Sequence, residues 1–202
     1  MAGTLMASGA VTVGDIRWRL RRDTAAQHRA LEHLVPVMRP NLTLGDYRDW
    51  LWRLLGFYQP LEACLGEQAV RLLPDWPRRV KSDWLLADLR HLGLVARDLE
   101  TTAARCPALP AFRDDAGTLG VIYVLEGATL GGQVIHRHLH QRLGVGPSSG
   151  GRFYAGYGTR SGERWQAFQT VLRAQVVSES EMATAVTAAT ATFRCFSDWI
   201  SA

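Results

Sequence analysis

Residues 123–143 read YVLEGATLGGQVIHRHLHQRL. Tyr123, Val124, Leu130, Val134, Ile135 and Leu139 recur at helical spacing, so the stretch reads as a helix. Gly127, Gly131 and Gly132 sit in its middle. A mid-helix glycine costs roughly 1 kcal/mol relative to alanine, and three cost several times that. Gly127 and Gly131 are four apart and share a face, while Gly132 lies about 100° further round. A face without side chains lets another group come against the backbone itself. Spacing leaves two readings open. A neighbouring helix packs closely through small residues, or a flat ligand lies on the helix, with the glycines also permitting a bend.

Helical patterns extend outward from this segment in both directions. Residues 16–34 read as one amphipathic helix, capped by Asp15 and followed by Pro36. Thr43 caps a second, in which Pro60 should produce a kink or a split. Residues 83–99 give a third. Pro107 and Pro110 break the chain before the glycine helix, which spans about residues 111–143. Residues 144–158, GVGPSSGGRFYAGYG, read as a long mobile loop. Residues 160–177 and 179–201 complete the set, with Ser178 as the cap between them. Strand alternation and internal repeats do not occur. The expected fold class is all-α, a single-domain helical bundle over residues 15–202, with residues 1–14 a disordered leader.

Composition bounds the function. The 202 residues are 47% apolar without a low-complexity tract, which suits one domain with a real core. No uninterrupted apolar run reaches the roughly 18–20 residues that span a bilayer. The first residues lack the basic start of a secretory signal, so no membrane association is expected. Cys64, Cys106 and Cys195 are widely spaced and form neither a disulfide framework nor a zinc pattern; a reducing cytoplasm fits. The net charge is +4, carried almost wholly by arginine, with Lys81 the only lysine. That suits an anionic ligand or an acidic partner protein. Without an Arg-rich tract or aromatic–basic interleaving, nucleic acid is not an expected partner.

Two further patterns are weighed and set aside. His136 and His140 share a face at zinc spacing, but no third ligand or HExxH pattern accompanies them. A di-iron bundle needs two Glu-x-x-His motifs, and none occurs. Trp50, Trp52, Trp84, Trp165 and Trp199 fall at helical positions and read as packing.

Residues 20–32, LRRDTAAQHRALE, place His28 on a helix beside Ala25 and Ala26. Paired with the glycine helix, it suggests a planar cofactor clamped between two helices. The imidazole would ligate a metal, and the glycine backbone would leave room for a small gas molecule.

LRRDTAAQHRALE and YVLEGATLGGQVI together resemble heme oxygenase, especially its bacterial branch associated with bacteriophytochromes and heme utilisation. YGTRSGERWQAF at 157–168 and ATATFRCFSDWI at 189–200 resemble the later helices of that family, in the same order. The resemblance covers roughly residues 15–200. It implies that heme is both cofactor and substrate, opened with O₂ and electrons to biliverdin, CO and ferrous iron. It implies that His28 is the proximal iron ligand and that Gly127 and Gly131 form the catalytic face of a kinked distal helix, with Gly132 beside them. A neutral imidazole suits this chemistry, because it lacks the electron push by which a thiolate favours O–O cleavage. Arg21, two turns before His28, and Tyr123 would hold the heme propionates, with Arg22 as an alternative to Arg21. The implied partner is an electron donor such as a ferredoxin or a reductase, and the product could supply a bacteriophytochrome.

One departure stands out. Mammalian-type members carry Asp, and bacterial ones often Ser, where this chain has Ala128. Alanine donates no proton. That leaves the proton route open, and with it an alternative function as a heme carrier, store or sensor without ring opening.

Overall fold

The computed structural model describes residues 14–94 and 105–202, and every regular element among them is helical. In chain order these are α1 (Ile16–Asp23), α2 (Ala25–Leu34), α3 (Leu44–Leu72), α4 (Ser82–His91), α5 (Asp115–Leu143), α6 (Arg152–Ala155), α7 (Ser161–Gln175) and α8 (Glu179–Ser201). Short 3₁₀ turns occupy Pro36–Met38, Trp76–Arg78 and Gly158–Arg160. The expected leader, apart from Gly14, and the end of the expected third helix lie outside the described residues.

The caps follow the sequence. The Thr43 and Ser178 hydroxyls accept from Asp46 and Glu181 amides, and each acid returns the bond, completing capping boxes for α3 and α8. Asp114 caps α5 by accepting from the Gly117 amide at 2.8 Å. At the far end, Gly144 takes φ +70, the left-handed geometry that stops a helix.

The glycine helix α5 is the centre of the fold. It packs most extensively on α8 and also touches α3, α6 and α7. The seam with α8 is built from small residues: Ala185, Ala188 and Ala189 are buried there. A Cβ at Gly120 would lie only 2.2 Å from the Ala185 carbonyl oxygen. By length and composition α5 could cross a bilayer, yet half of its most apolar stretch is buried inside the protein.

Three expectations change. Residues 16–34 form two helices, because Thr24 leaves helical geometry at φ −103, ψ 2. Its hydroxyl donates to the Leu20 carbonyl at 2.7 Å, a local bond that competes with the helix ladder. In α3 the departure from helical angles falls at Gly66 (φ 40, ψ −130), six residues beyond Pro60. Glycine adopts that positive φ without steric cost, so the bend settles there. Residues 144–158 are not a mobile loop. They contain α6, whose first amides, Arg152 and Phe153, donate to the buried Asp88 carboxylate at 2.7 and 2.8 Å. Tyr47 Oη donates to Gly150 O, and Trp50 Nε1 donates to Tyr154 Oη at 2.7 Å. These anchors join residues too far apart in sequence for local patterns to reveal.

Candidate active site

α2 and α5 border one cavity of about 540 Å³, within the roughly 300–1,000 Å³ typical of small-molecule and cofactor sites. Phe57 and Tyr58 of α3, Trp165 of α7, and Phe193 and Phe196 of α8 supply aromatic walls. Gly127, Ala128 and Gly131 form the α5 wall.

The four glycines of α5 whose surroundings decide the question divide into two pairs. A Cβ at Gly131 would meet nothing within 4 Å, and one at Gly127 would meet only a Trp165 ring carbon at 3.9 Å. Neither glycine serves close helix packing; both open onto the cavity. Packing uses the other pair, Gly120 against α8 and Gly132 against α6. A Cβ at Gly132 would sit 3.1 Å from the Tyr154 carbonyl oxygen. Gly132 therefore lies outside the cavity, on a different face of α5, and the expectation that it binds cofactor is corrected. α5 passes through Gly127, Gly131 and Gly132 as one continuous helix, with none of the three at positive φ.

His28 borders the cavity from α2, its side chain 62% exposed. Its ring meets Phe193 edge-on, with centroids 6.1 Å apart. Glu32, one turn along α2, brings Oε1 to 3.3 Å from His28 Nδ1. A carboxylate at Nδ1 orients the ring and leaves Nε2 without that partner. Arg21 also borders the cavity, whereas Arg22 turns to Asp23 and lies over Trp18 at 4.6 Å. Arg21 and Arg29, not Arg22, are thus the cations at the cavity. Tyr123 faces the cavity next to Thr24 and Arg21. Burial raises its phenol above the ordinary value, against the pull of Thr24 and Arg21, so the hydroxyl stays protonated and can donate.

Behind α5 lies a buried charge cluster that no short sequence pattern marks. Glu126, the residue before Gly127, is 1% exposed, as are its partners Arg79 and Lys81. Lys81 Nζ reaches Glu126 Oε1 at 2.5 Å, Arg79 Nη1 reaches Oε2 at 2.6 Å, and Tyr157 Oη donates to Oε1 at 2.8 Å. Burial pushes the Glu126 carboxyl up, but Lys81, Arg79 and Tyr157 outweigh it and leave it below the ordinary range. Glu62 of α3 accepts from the Lys81 and Ser82 amides at 2.7 and 2.9 Å, capping α4 from outside. The cluster fixes the register of α5 where its bare face meets the cavity. Glu126→Gln should leave the buried Lys81 without a carboxylate partner, while Arg79 keeps Asp75 at 2.9 Å, and cost about 3–5 kcal/mol. The check is a lower urea midpoint at unchanged slope.

Sequence reading missed several site residues. Glu32 carries one signal, its i,i+4 spacing from His28. Trp165, read as packing, and Phe193 and Phe196 carry none, because an apolar residue looks the same facing a core or a cavity. His140 Nδ1 lies 3.3 Å from Val145 O, at the end of α5 away from the glycines.

One imidazole, aromatic walls, two arginines with a phenol, and a face bared of side chains suit a flat, largely apolar, anionic-edged ligand. That defines a helical protein with a cavity suited to a planar cofactor between a histidine helix and a glycine helix. A family model, Heme oxygenase, matches residues 15–202, and the chain belongs to that family. It is therefore a heme-binding, heme-degrading enzyme with biliverdin as its product. A heme oxygenase from Xanthomonas campestris pv. campestris is 31% identical over 128 residues, 63% of this chain and 71% of that protein. Two solved structures share the fold. The NO- and CO-bound heme oxygenase from Neisseria meningitidis has a TM-score of 0.77 at 21% identity, covering 92% of this chain and 90% of that one. Heme oxygenase from Leptospira interrogans gives 0.73 at 18%, covering 93% and 99%. Membership favours the ring-opening enzyme over the carrier, store or sensor alternative.

Proposed function

We propose that His28 ligates the heme iron, that Arg21 and Tyr123 hold the propionates, and that Gly127 and Gly131 bound the O₂ site. The observation that carries this reading is the open space in front of Gly127 and Gly131 in the cavity that His28 borders. Heme, when bound, supplies both the iron that activates O₂ and the ring that is opened. The chain supplies the rest. Glu32 orients the imidazole. The aromatic walls exclude bulk water. The bare α5 face admits a diatomic molecule and keeps it close to the ring. Ala128 donates nothing, so proton delivery falls to water held by α5 carbonyls that the glycines leave accessible. The test is to add heme and a reductant under air. The Soret band should decay as red-region biliverdin absorption grows; a Soret band that persists would sink the reading.

The electron donor is an acidic protein, a ferredoxin or a reductase, that meets the arginine-borne positive charge of this chain near the heme edge. Its association rate should fall several-fold as salt rises, because the screening length shrinks from about 10 Å at 0.1 M to about 3 Å at 1 M. A rate flat across that range in stopped-flow reduction would point to a neutral donor. Three free thiols suit a cytoplasmic setting, where biliverdin could supply a bacteriophytochrome.

A further inference from the structure

Cys106 and Cys195 are 89 residues apart in sequence, yet their sulfurs lie 3.4 Å apart. Both thiols point at one acceptor, the Ala108 carbonyl, at 3.5 Å from Cys106 and 2.6 Å from Cys195. They form part of the wall of a surface cleft of about 510 Å³, between the 106–111 segment and the last turns of α8. Cys106 is buried and Cys195 half-buried, so a small solute can reach the pair from the cleft. Each cysteine is also tied to the heme cavity. The Cys106 amide donates to Gly56 O at 2.9 Å, beside the cavity residue Phe57. Cys195 sits on α8 between Phe193 and Phe196, which line that cavity.

We propose that Cys106 and Cys195 are an oxidisable dithiol whose disulfide ties the 106–111 segment to α8 and stiffens the α8 wall of the heme cavity. The oxidant is hydrogen peroxide. One thiolate attacks a peroxide oxygen, giving a sulfenic acid and water. The second thiol attacks that sulfur and releases the hydroxyl as a second water. Two thiols and one peroxide thus become one disulfide and two waters. The sulfurs must approach from 3.4 Å to the roughly 2.05 Å of an S–S bond, a shift within side-chain reach. Burial, and then the neighbouring Cys106 thiol, push the Cys195 thiol up to about 12, so little Cys195 thiolate is present at neutral pH and its oxidation is slow without added peroxide.

The test uses the full chain with the exposed Cys64 changed to Ser, which removes cross-linking between molecules. After hydrogen peroxide treatment, free thiols in denaturant should fall from two to none. A non-reducing digest should join the Cys106 and Cys195 peptides, and dithiothreitol should restore both thiols. The melting temperature should rise by about 5 °C or more on oxidation, as a long loop is closed. Heme transfer to an excess of an apo-globin acceptor should slow by about threefold or more, because loss requires the wall to open. Cys106→Ser and Cys195→Ser should each abolish the cross-link and both shifts. Thiols that stay free, or a dimedone-trapped sulfenic acid without a cross-link, overturn the proposal. A cross-link that leaves heme transfer unchanged overturns its link to the cavity. Only the heme-transfer arm rests on the heme reading; thiol counts and peptide maps do not.

Discussion

His28→Ala should remove the imidazole-ligated heme spectrum and abolish biliverdin formation, with added imidazole restoring part of both. The side chain is 62% exposed, with Glu32 and the Phe193 edge beside it, so truncation removes little packing. Surface substitutions of this kind usually stay within about 0.5 kcal/mol, so the heme-free protein should melt where the wild type does. Lost activity at unchanged melting temperature then reports ligation and not folding. Glu32→Gln grades the effect. It keeps the ligand and removes the charge at Nδ1, and partners at that remove typically matter by roughly 10–100-fold in affinity or activity. A heme spectrum unaltered in His28→Ala would reject the ligand assignment outright.

Gly131→Leu should bind heme with a normal imidazole-ligated spectrum and open the ring slowly or not at all. The wild type has no atom within 4 Å of a Cβ built there, so the leucine enters the cavity and leaves the core undisturbed. Helix propensity favours the change by up to about 1 kcal/mol, so the heme-free protein should melt no lower than wild type. Gly120→Leu supplies the contrast from the same helix. Its Cβ would lie 2.2 Å from Ala185 O, a backbone atom that cannot step aside, and α5 would have to part from α8. Overpacking of that kind typically costs 1–3 kcal/mol, about 2–12 °C in a chain of this size. Heme degradation per folded Gly120→Leu molecule should stay near normal. If Gly131→Leu instead lowered the melting temperature and kept turnover, the open face would have no part in O₂ binding.

The glycines show how far the sequence reads. Spacing put Gly127 and Gly131 on one face but could not say whether a helix or a ligand covers it. Nor could it separate Gly132, whose only distinction is the Tyr154 carbonyl brought in by a helix twenty residues on. Caps were legible because a hydroxyl or carboxylate bonds an amide two or three residues away, as at Asp15, Thr43 and Ser178; Asp114 was passed over, the glycine helix being expected from about residue 111. The break at Thr24 was not, since threonine is ordinary inside a helix until its hydroxyl takes the Leu20 carbonyl. The 144–158 segment misled for the opposite reason. Its Gly and Ser content describes a chain free to move, while Asp88, Tyr47 and Trp50 hold it in place. His28 and Arg21 were named through family resemblance, and both border the cavity; Glu126 with Arg79 and Lys81 arises only from tertiary folding.

Lys81 is the chain's single lysine, and it is 1% exposed. The folded surface therefore presents no lysine amine to an acylating reagent or enzyme, and its cationic side chains at high pH are all guanidinium groups. Acetylation, ubiquitination and ester-based dye coupling at lysine all require the Glu126 cluster to come apart first. Lys81 acylation is consequently a clock for that opening: its rate in dilute denaturant counts how often α5 loosens from the segment that holds it.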